Sequence, residues 1–334
     1  MSVLHLYNHY SLNSGFQYLL DKLQEDGTQH LLADHLPENL SDVQVVHAHS
    51  WMGDGRAALD IHDKWNIPYV LTVRATDLVQ AAGFSAWHRG KQILENADYV
   101  VFADPMSDRF LSEKLPSKLA DSLYNHAVTI YDSLDPFWFQ NLRSAKPVSL
   151  IQIRLLYIGN PEEDRRIVNL LKAIEHLLHR NFEVNLTIVH TACETAELQN
   201  RKLKAFNKPF VKMLGMQTRE ERLALYREHD ILAMPCDEGV ETTVYAEALS
   251  QGLPIVYAKE GVFDGIYREG EAGYAVDVRN SEDLENIILQ ISERYATIEQ
   301  HLCDLQPLNA FNVDENCRNH LRIYSHFSKK NLLG

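Results

Sequence analysis

Residues 235 to 256, PCDEGVETTVYAEALSQGLPIV, set two carboxylates and two adjacent threonines among Pro and Gly residues in an order suited to a phosphate-bearing ligand. Thr242 and Thr243 are candidate helix caps, and Glu247 falls about one turn inside that helix. Gln251-Gly252 stops the helix, and Pro254 opens the apolar run Ile255-Val256-Tyr257. The segment therefore reads as strand end, acidic loop, helix, turn, strand. It sets the backbone N–H groups of Thr242, Thr243 and Val244, and the positive end of a helix dipole, at the mouth of a parallel sheet. A nucleotide diphosphate commonly lodges in such a place. Glu247 cannot usefully face phosphate, since like charges repel, but a carboxylate there can accept hydrogen bonds from ribose hydroxyls.

These residues resemble the nucleotide-sugar motif of the family-4 retaining glycosyltransferases of GT-B fold: a Pro, a loop opening Glu-Gly, then Glu-Ala, then Gly-x-Pro before a strand. In that family seven residues separate two glutamates. Here eight separate Glu238 from Glu247, and Gly239 holds the strict position. The resemblance implies that Glu238 contacts the sugar hydroxyls and Glu247 the ribose. It extends to LLYIGNPEEDRRIVNLLKA, residues 155–173, a strand, a turn at Gly159 and a helix. The family has Gly-Arg at this turn and a Lys five residues on, two cations that clamp the donor pyrophosphate. Asn160 stands at the Arg position and keeps a neutral donor. Arg165 stands at the Lys position and keeps the charge, with a fork that suits phosphate oxygens. Arg165 and Arg166 also have a local use, the neutralisation of Glu162, Glu163 and Asp164.

In the first half, IPYVLTVRATD (residues 67–77) is similar to the family's strand ending in Thr-x-His-Gly-x-Asp. Arg74 replaces the His, Ala75 replaces the Gly, and Asp77 keeps its place. A permanent cation such as Arg74 cannot be a general base but can contact sugar or phosphate, and an Arg74–Asp77 surface pair is the structural alternative. Ser14-Gly15 supplies half of the family's paired-glycine loop, which implies a donor-side role for Gly15. Tyr131–Asp135 resembles a domain-closing turn. His47 and His49, in VVHAHS, have a spacing that suits a metal, but no third ligand is apparent and core or rim histidines are the expectation. No Asp-x-Asp stands at a strand end. The reading is metal-independent, with no cofactor and a nucleotide-diphosphate sugar as donor substrate.

The elements that must position these residues alternate along the chain, as expected for an α/β protein. Strands are expected at Val3–Tyr7, Val43–Ala48, Tyr69–Val73, Tyr99–Phe102 and Ala127–Tyr131, with Gln29–Asp34 leading almost directly to Val43. A second series runs through Leu155–Ile158, Val184–Val189, Val211–Leu214, Ile231–Met234 and Ile255–Tyr257. The helices between them include Gly15–Gln24, Arg56–Trp65, Arg165–Leu178, Thr195–Lys204 and Arg219–Glu228. A chain of 334 residues suits two domains. The resemblance implies two Rossmann-like domains facing each other across a cleft. The first, residues 1–147, takes the acceptor, with a helix at about 313–330 packing back on it. The second, residues 148–312, takes the donor.

The net charge is −14, and residues 1–145 carry 10 basic against 18 acidic side chains. Nucleic acid is excluded as a partner by this balance, and at most peripheral membrane contact is expected. Trp87-His88-Arg89 with Lys91 is the one aromatic-basic cluster of the first half, expected to be a helix face around a buried Trp. The four cysteines lack CxxC spacing and no leader is read at the N-terminus, which suits a cytoplasmic protein with reduced thiols. The resemblance implies a hexosyltransferase-type activity in polysaccharide or glycan assembly, with a glycan or glycolipid acceptor. The departures at Asn160, Arg74, Ser14-Gly15 and the glutamate spacing motivate two alternatives: a catalytically silent partner subunit that binds and supports another glycosyltransferase, or a nucleotide-sugar epimerase.

Overall fold

The computed structural model describes residues 1–7, 14–25, 29–33, 40–142, 152–160, 166–191, 206–236, 242–304 and 307–330. The chain divides into two compact units, Met1–Pro136 with Asn309–Gly334, and Phe137–Leu308.

In the first unit, strands and helices alternate as β1 (Ser2–Leu6), α1 (Ser14–Glu25), β2 (Gln29–Ala33), β3 (Val45–Ala48), α2 (Asp54–Trp65), β4 (Tyr69–Val73), α3 (Ala75–Gln80), α4 (Phe84–Asn96), β5 (Tyr99–Phe102), α5 (Pro105–Lys114), α6 (Ser117–Tyr124) and β6 (Ala127–Thr129). α7 (Pro136–Gln140) leads into the second unit, which runs β7 (Gln152–Gly159), α8 (Ile167–His179), β8 (Glu183–His190), β9 (Val211–Leu214), α9 (Arg219–Glu228), β10 (Ile231–Met234), α10 (Thr242–Ser250), β11 (Ile255–Ala258), β12 (Gly273–Val276), α11 (Ser281–Glu293) and α12 (Tyr295–Asp304). The last helix, α13 (Val313–Lys330), belongs to the first unit.

Among the described residues each unit holds one six-stranded sheet, ordered β2-β1-β3-β4-β5-β6 and β12-β11-β10-β7-β8-β9, and all their pairings are parallel. The second order is the doubly wound 3-2-1-4-5-6, which reverses direction between β7 and β10. The first reverses between β1 and β3. Ligands of such sheets bind outside the carboxyl ends of the strands at these reversals.

The strands are buried on both faces, so they read as continuous apolar runs. Alternation still decides which face each residue serves. Val3, Val45, Val70 and Val101 pack against α1 and α13 through Phe16, Leu20, Tyr324 and Phe327. Leu4, Val46, Leu71 and Val100 pack on the other face with Ala58, Ile61, Ile93 and Leu94. Side-chain caps fix several helix starts: Asp104 accepts from Ser107 N at 2.7 Å ahead of Pro105, and Thr218 shares a capping box with Glu221. Gly252, at φ +67°, ends α10 as its left-handed cap. The segment expected to lead straight to Val43 contains β2, an edge strand in register with β1. The expected helix Thr195–Lys204 falls outside the described residues.

Candidate functional site

In the second unit the direction reversal brings together the end of β7 and Cys236, just beyond β10. Gly159 closes β7 and Asn160 follows it, with the Asn160 amide oxygen buried. Tyr157, on β7, reaches Cys236 beyond β10, their hydroxyl and sulfur 3.7 Å apart. Thr242, Thr243 and Val244 form the first turn of α10, with Thr242 buried. The structure thus sets the Gly159-Asn160 turn and the α10 N-terminus at the rim of adjacent strands. Arg165 and Glu238 lie outside the described residues.

Glu247 is 8% exposed and accepts a forked pair of hydrogen bonds from Arg222, Nε to Oε2 at 3.0 Å and Nη2 to Oε1 at 2.9 Å. The Tyr226 hydroxyl donates to Oε2 at 2.9 Å. Burial, and then the charge of Glu247, push the Tyr226 phenol well above its ordinary range, so it stays a donor. Arg222 lies 5.8 Å from the centroid of the Trp138 ring, and Trp138 meets Tyr226 edge to face at 5.6 Å. A second clip joins α9 to the residue that follows α10, Arg227 Nε donating to Gln251 Oε1 at 3.0 Å, while Arg227 Nη2 reaches Asn141 O at 2.8 Å. Arg222, Tyr226 and Trp138 were not among the expected site residues. Their signal was the i,i+4 spacing of Arg222 and Tyr226 on a helix that immediately precedes β10, which places one face of α9 beside α10.

In the first unit Gly15 sits in the first turn of α1, and Arg74 follows β4 as the N-cap of α3. The Arg74 guanidinium donates from Nε to His49 O at 3.0 Å and forms an ion pair with Asp132, a residue of the Tyr131–Asp135 turn. Its link to Asp77 runs through the backbone: Asp77 Oδ2 accepts from Arg74 N at 3.0 Å and from Trp51 N at 3.0 Å, and Oδ1 accepts from Met52 N at 3.2 Å. Asp104 Oδ2 accepts from Ala75 N at 2.8 Å. Burial raises both carboxyls, and the backbone N–H donors oppose it. The two acids tie together the loops that follow β3, β4 and β5, and so hold Arg74 at the carboxyl rim of the sheet. A cavity of about 20 Å3 lies there, room for about one water molecule. Phe16, His49, Thr72, Arg74, Asp132 and His320 are among its lining.

Beside this cavity the alternation of β1 and β3 builds a histidine cluster. His5 is paired in register with His47, on the face that meets α13. His5 Nδ1 lies 2.9 Å from His49 Nε2, and His5 Nε2 lies 2.8 Å from His30 Nδ1. His47 stands between the Tyr324 hydroxyl, 2.6 Å from Nδ1, and Thr72 Oγ1, 2.9 Å from Nε2. Burial, ahead of repulsion from neighbouring cations and imidazoles, holds His5, His47 and His49 well below the ordinary histidine value. Burial also pushes His320 on α13 down to about 4. The expectation counted two histidines and no third. The structure supplies His5, with one nitrogen of each of the three within 4.8 Å of the others. Both nitrogens of His5 and both of His47 are already hydrogen-bonded, so a metal would have to break those bonds to enter.

Residues 140–301 match the sequence model of the family described as Glycosyl transferases group 1. The chain is 23% identical over 279 residues to the D-inositol 3-phosphate glycosyltransferase of Corynebacterium kroppenstedtii, a match covering 78% of this chain and 59% of that relative. The chain therefore spans less than two thirds of this relative's length. Among solved structures, it resembles the sucrose-phosphate synthase of Thermosynechococcus elongatus with a TM-score of 0.77 at 14% identity, covering 99% of this chain and 100% of the other. The Anabaena protein HepE, solved in complex with UDP, is similar at a TM-score of 0.73 and 14% identity, covering 98% and 100%. Among the described residues no helix is long and apolar enough to cross a membrane. The chain thus has the GT-B fold, and its residues 140–301 are similar to the glycosyl transferases group 1 family.

Proposed function

We propose that this chain is a retaining, metal-independent glycosyltransferase of the hexosyltransferase type, moving a sugar from a nucleotide-diphosphate donor to a hydroxyl acceptor in polysaccharide or glycan assembly. One observation supports the reading: the family match covers the unit whose strand order reverses between β7, which ends at Gly159, and β10, which is followed by α10. The second unit binds the donor. The first-turn N–H groups of Thr242, Thr243 and Val244 and the helix dipole face the diphosphate, with Arg165 as its cation. Asn160 adds an amide at the same turn. Glu247, held in place by Arg222 and Tyr226, takes the ribose hydroxyls, and Glu238 takes those of the sugar.

The first unit binds the acceptor, a glycan or glycolipid, and Arg74, braced by Asp77 and Asp132, contacts sugar or phosphate. Gly15 lets the backbone approach the donor closely. Charge that develops on the departing diphosphate is stabilised by fixed dipoles and by Arg165, without a divalent ion. The leaving phosphate itself accepts the acceptor proton, which suits a site where Arg74 stands and no side-chain base is required. The protein works in the cytoplasm, where nucleotide sugars are at hand.

Incubation of the protein with its nucleotide sugar should release nucleoside diphosphate at a rate unchanged by excess EDTA. The anomeric proton of the product should show the configuration of the donor by NMR. Loss of turnover in EDTA, or an inverted product, contradicts this mechanism.

A further inference from the structure

The corner between α3 and α4 is the most exposed apolar point among the described residues. Phe84 is 90% exposed and Val79 62% exposed, on either side of Gly83 at φ +99°. The space beside Gly83 is open, since a side chain built there would meet nothing within 4 Å. Its underside is firmly seated, Trp87 packing edge to face on Trp51 at 6.0 Å and on Phe110 at 6.0 Å. The Trp of the aromatic-basic cluster is thus a core anchor, which leaves its cations on the outer face. His88 and Arg89 are exposed beside Phe84, and Lys91 follows one turn on, 3.4 Å from Glu95. Residues 76 to 92 contain one carboxylate, Asp77, and it is buried. In a chain of net charge −14, this stretch presents cations and apolar groups with no exposed acid between them.

We propose that this corner docks the protein on an anionic lipid bilayer. Phe84 and Val79 enter between the head groups, while Arg89, Lys91 and His88 lie against lipid phosphates. A bilayer accepts a protruding ring without a preformed groove, and apolar insertion with nearby cations supplies the two signals that peripheral attachment needs. The negative remainder of the surface is repelled by the same lipids, so the corner also fixes which way the protein faces. This inference is independent of the donor reading.

Co-sedimentation of the full chain with vesicles tests it. Vesicles of phosphatidylcholine containing about 30 mol % phosphatidylglycerol should pellet the protein several-fold better than phosphatidylcholine alone, and added salt should weaken the binding. Phe84→Ser should lower the partition coefficient about tenfold, from the apolar area of one Phe. Arg89→Glu should lower it by about tenfold, since it exchanges an attracted charge for a repelled one. Both side chains are exposed, so both variants should melt like the wild type, which separates lost docking from lost folding. No pelleting on phosphatidylglycerol vesicles overturns the proposal. So does pelleting that Phe84→Ser leaves intact, or equal binding to both kinds of vesicle.

Discussion

Acidification from pH 7 to 5.5 is expected to cost the first unit about 4 kcal/mol of folding stability, roughly 1 kcal/mol for each of His5, His47, His49 and His320. In the unfolded chain these imidazoles titrate at the ordinary value of 6.5, whereas burial lowers all four in the fold, His320 to about 4. Below 6.5 the unfolded state therefore takes up protons that the folded state refuses. The stability is fully present above that pH and is lost as pH falls toward the folded values. The surrounding charges do not rescue the fold. Arg74 disfavours the charged form of His47, His49 and His320, while the Asn316 carbonyl and then Asp132 favour it at His320 without outweighing burial. The raised carboxyls of Asp77 and Asp104 act with the opposite sign, but their ordinary value of 3.8 places their window nearer the acid end. Urea titrations followed through Trp51 and Trp87 at pH 7, 6 and 5.5 check this. A midpoint that does not move would mean that the cluster carries protons in the fold. Tyr324 and His320 both lie on α13, so the same charging should loosen that helix first.

Glu247→Ala is expected to destabilise the second unit by about 3 kcal/mol, seen as a fall in melting temperature of roughly 5–10 °C. The substitution strips the forked partner from Arg222 and the acceptor from the buried Tyr226 hydroxyl. The side chain of Arg222 is 28% exposed, so its stranded charge is partly hydrated, and the low end of the range for broken buried pairs applies. Removing both partners is a different matter. Glu247→Ala with Arg222→Met leaves no unpaired charge and should recover a large part of the loss, the non-additivity of a coupled pair. If the single variant melts like the wild type, the pair contributes nothing to the fold. Nucleotide binding separates the two roles of this carboxylate. The double variant should regain stability without regaining affinity for a nucleoside diphosphate, because no acceptor for the ribose returns.

Much of the fold was legible because parallel strands carry their signal locally. Apolar runs such as Ile231–Met234 and Tyr69–Val73 sit between caps and turns and became strands as expected. β2 escaped notice because QHLLA opens on two polar residues, Gln29 and His30, and as an edge strand it needs only one neighbour, β1, to complete its ladder. The site was legible where backbone makes it. Thr242–Val244 open a helix and Gly159 closes a strand, and both follow from local propensity. What escaped was the long-range pairing of side chains. Glu247 meets Arg222 across 25 residues, and Arg74 meets Asp132 across 58, although Asp77 stands three residues from it. Asp77 instead serves three backbone N–H groups on two loops. The third histidine was hidden for the same reason. His5 and His47 are far apart in sequence and meet only because β1 and β3 are neighbours in register.

Calorimetric titration of the full chain with UDP, GDP, ADP, CDP and dTDP tests the central claim, that the second unit holds a nucleotide-diphosphate donor at the end of β7 and the start of α10. One of the five should bind at one site per chain, and Glu247→Gln, which keeps the shape but not the charge, should weaken that binding by at least about tenfold. If none of the five binds at millimolar concentration, or the bound nucleotide is indifferent to Glu247, the donor site is not where this account places it.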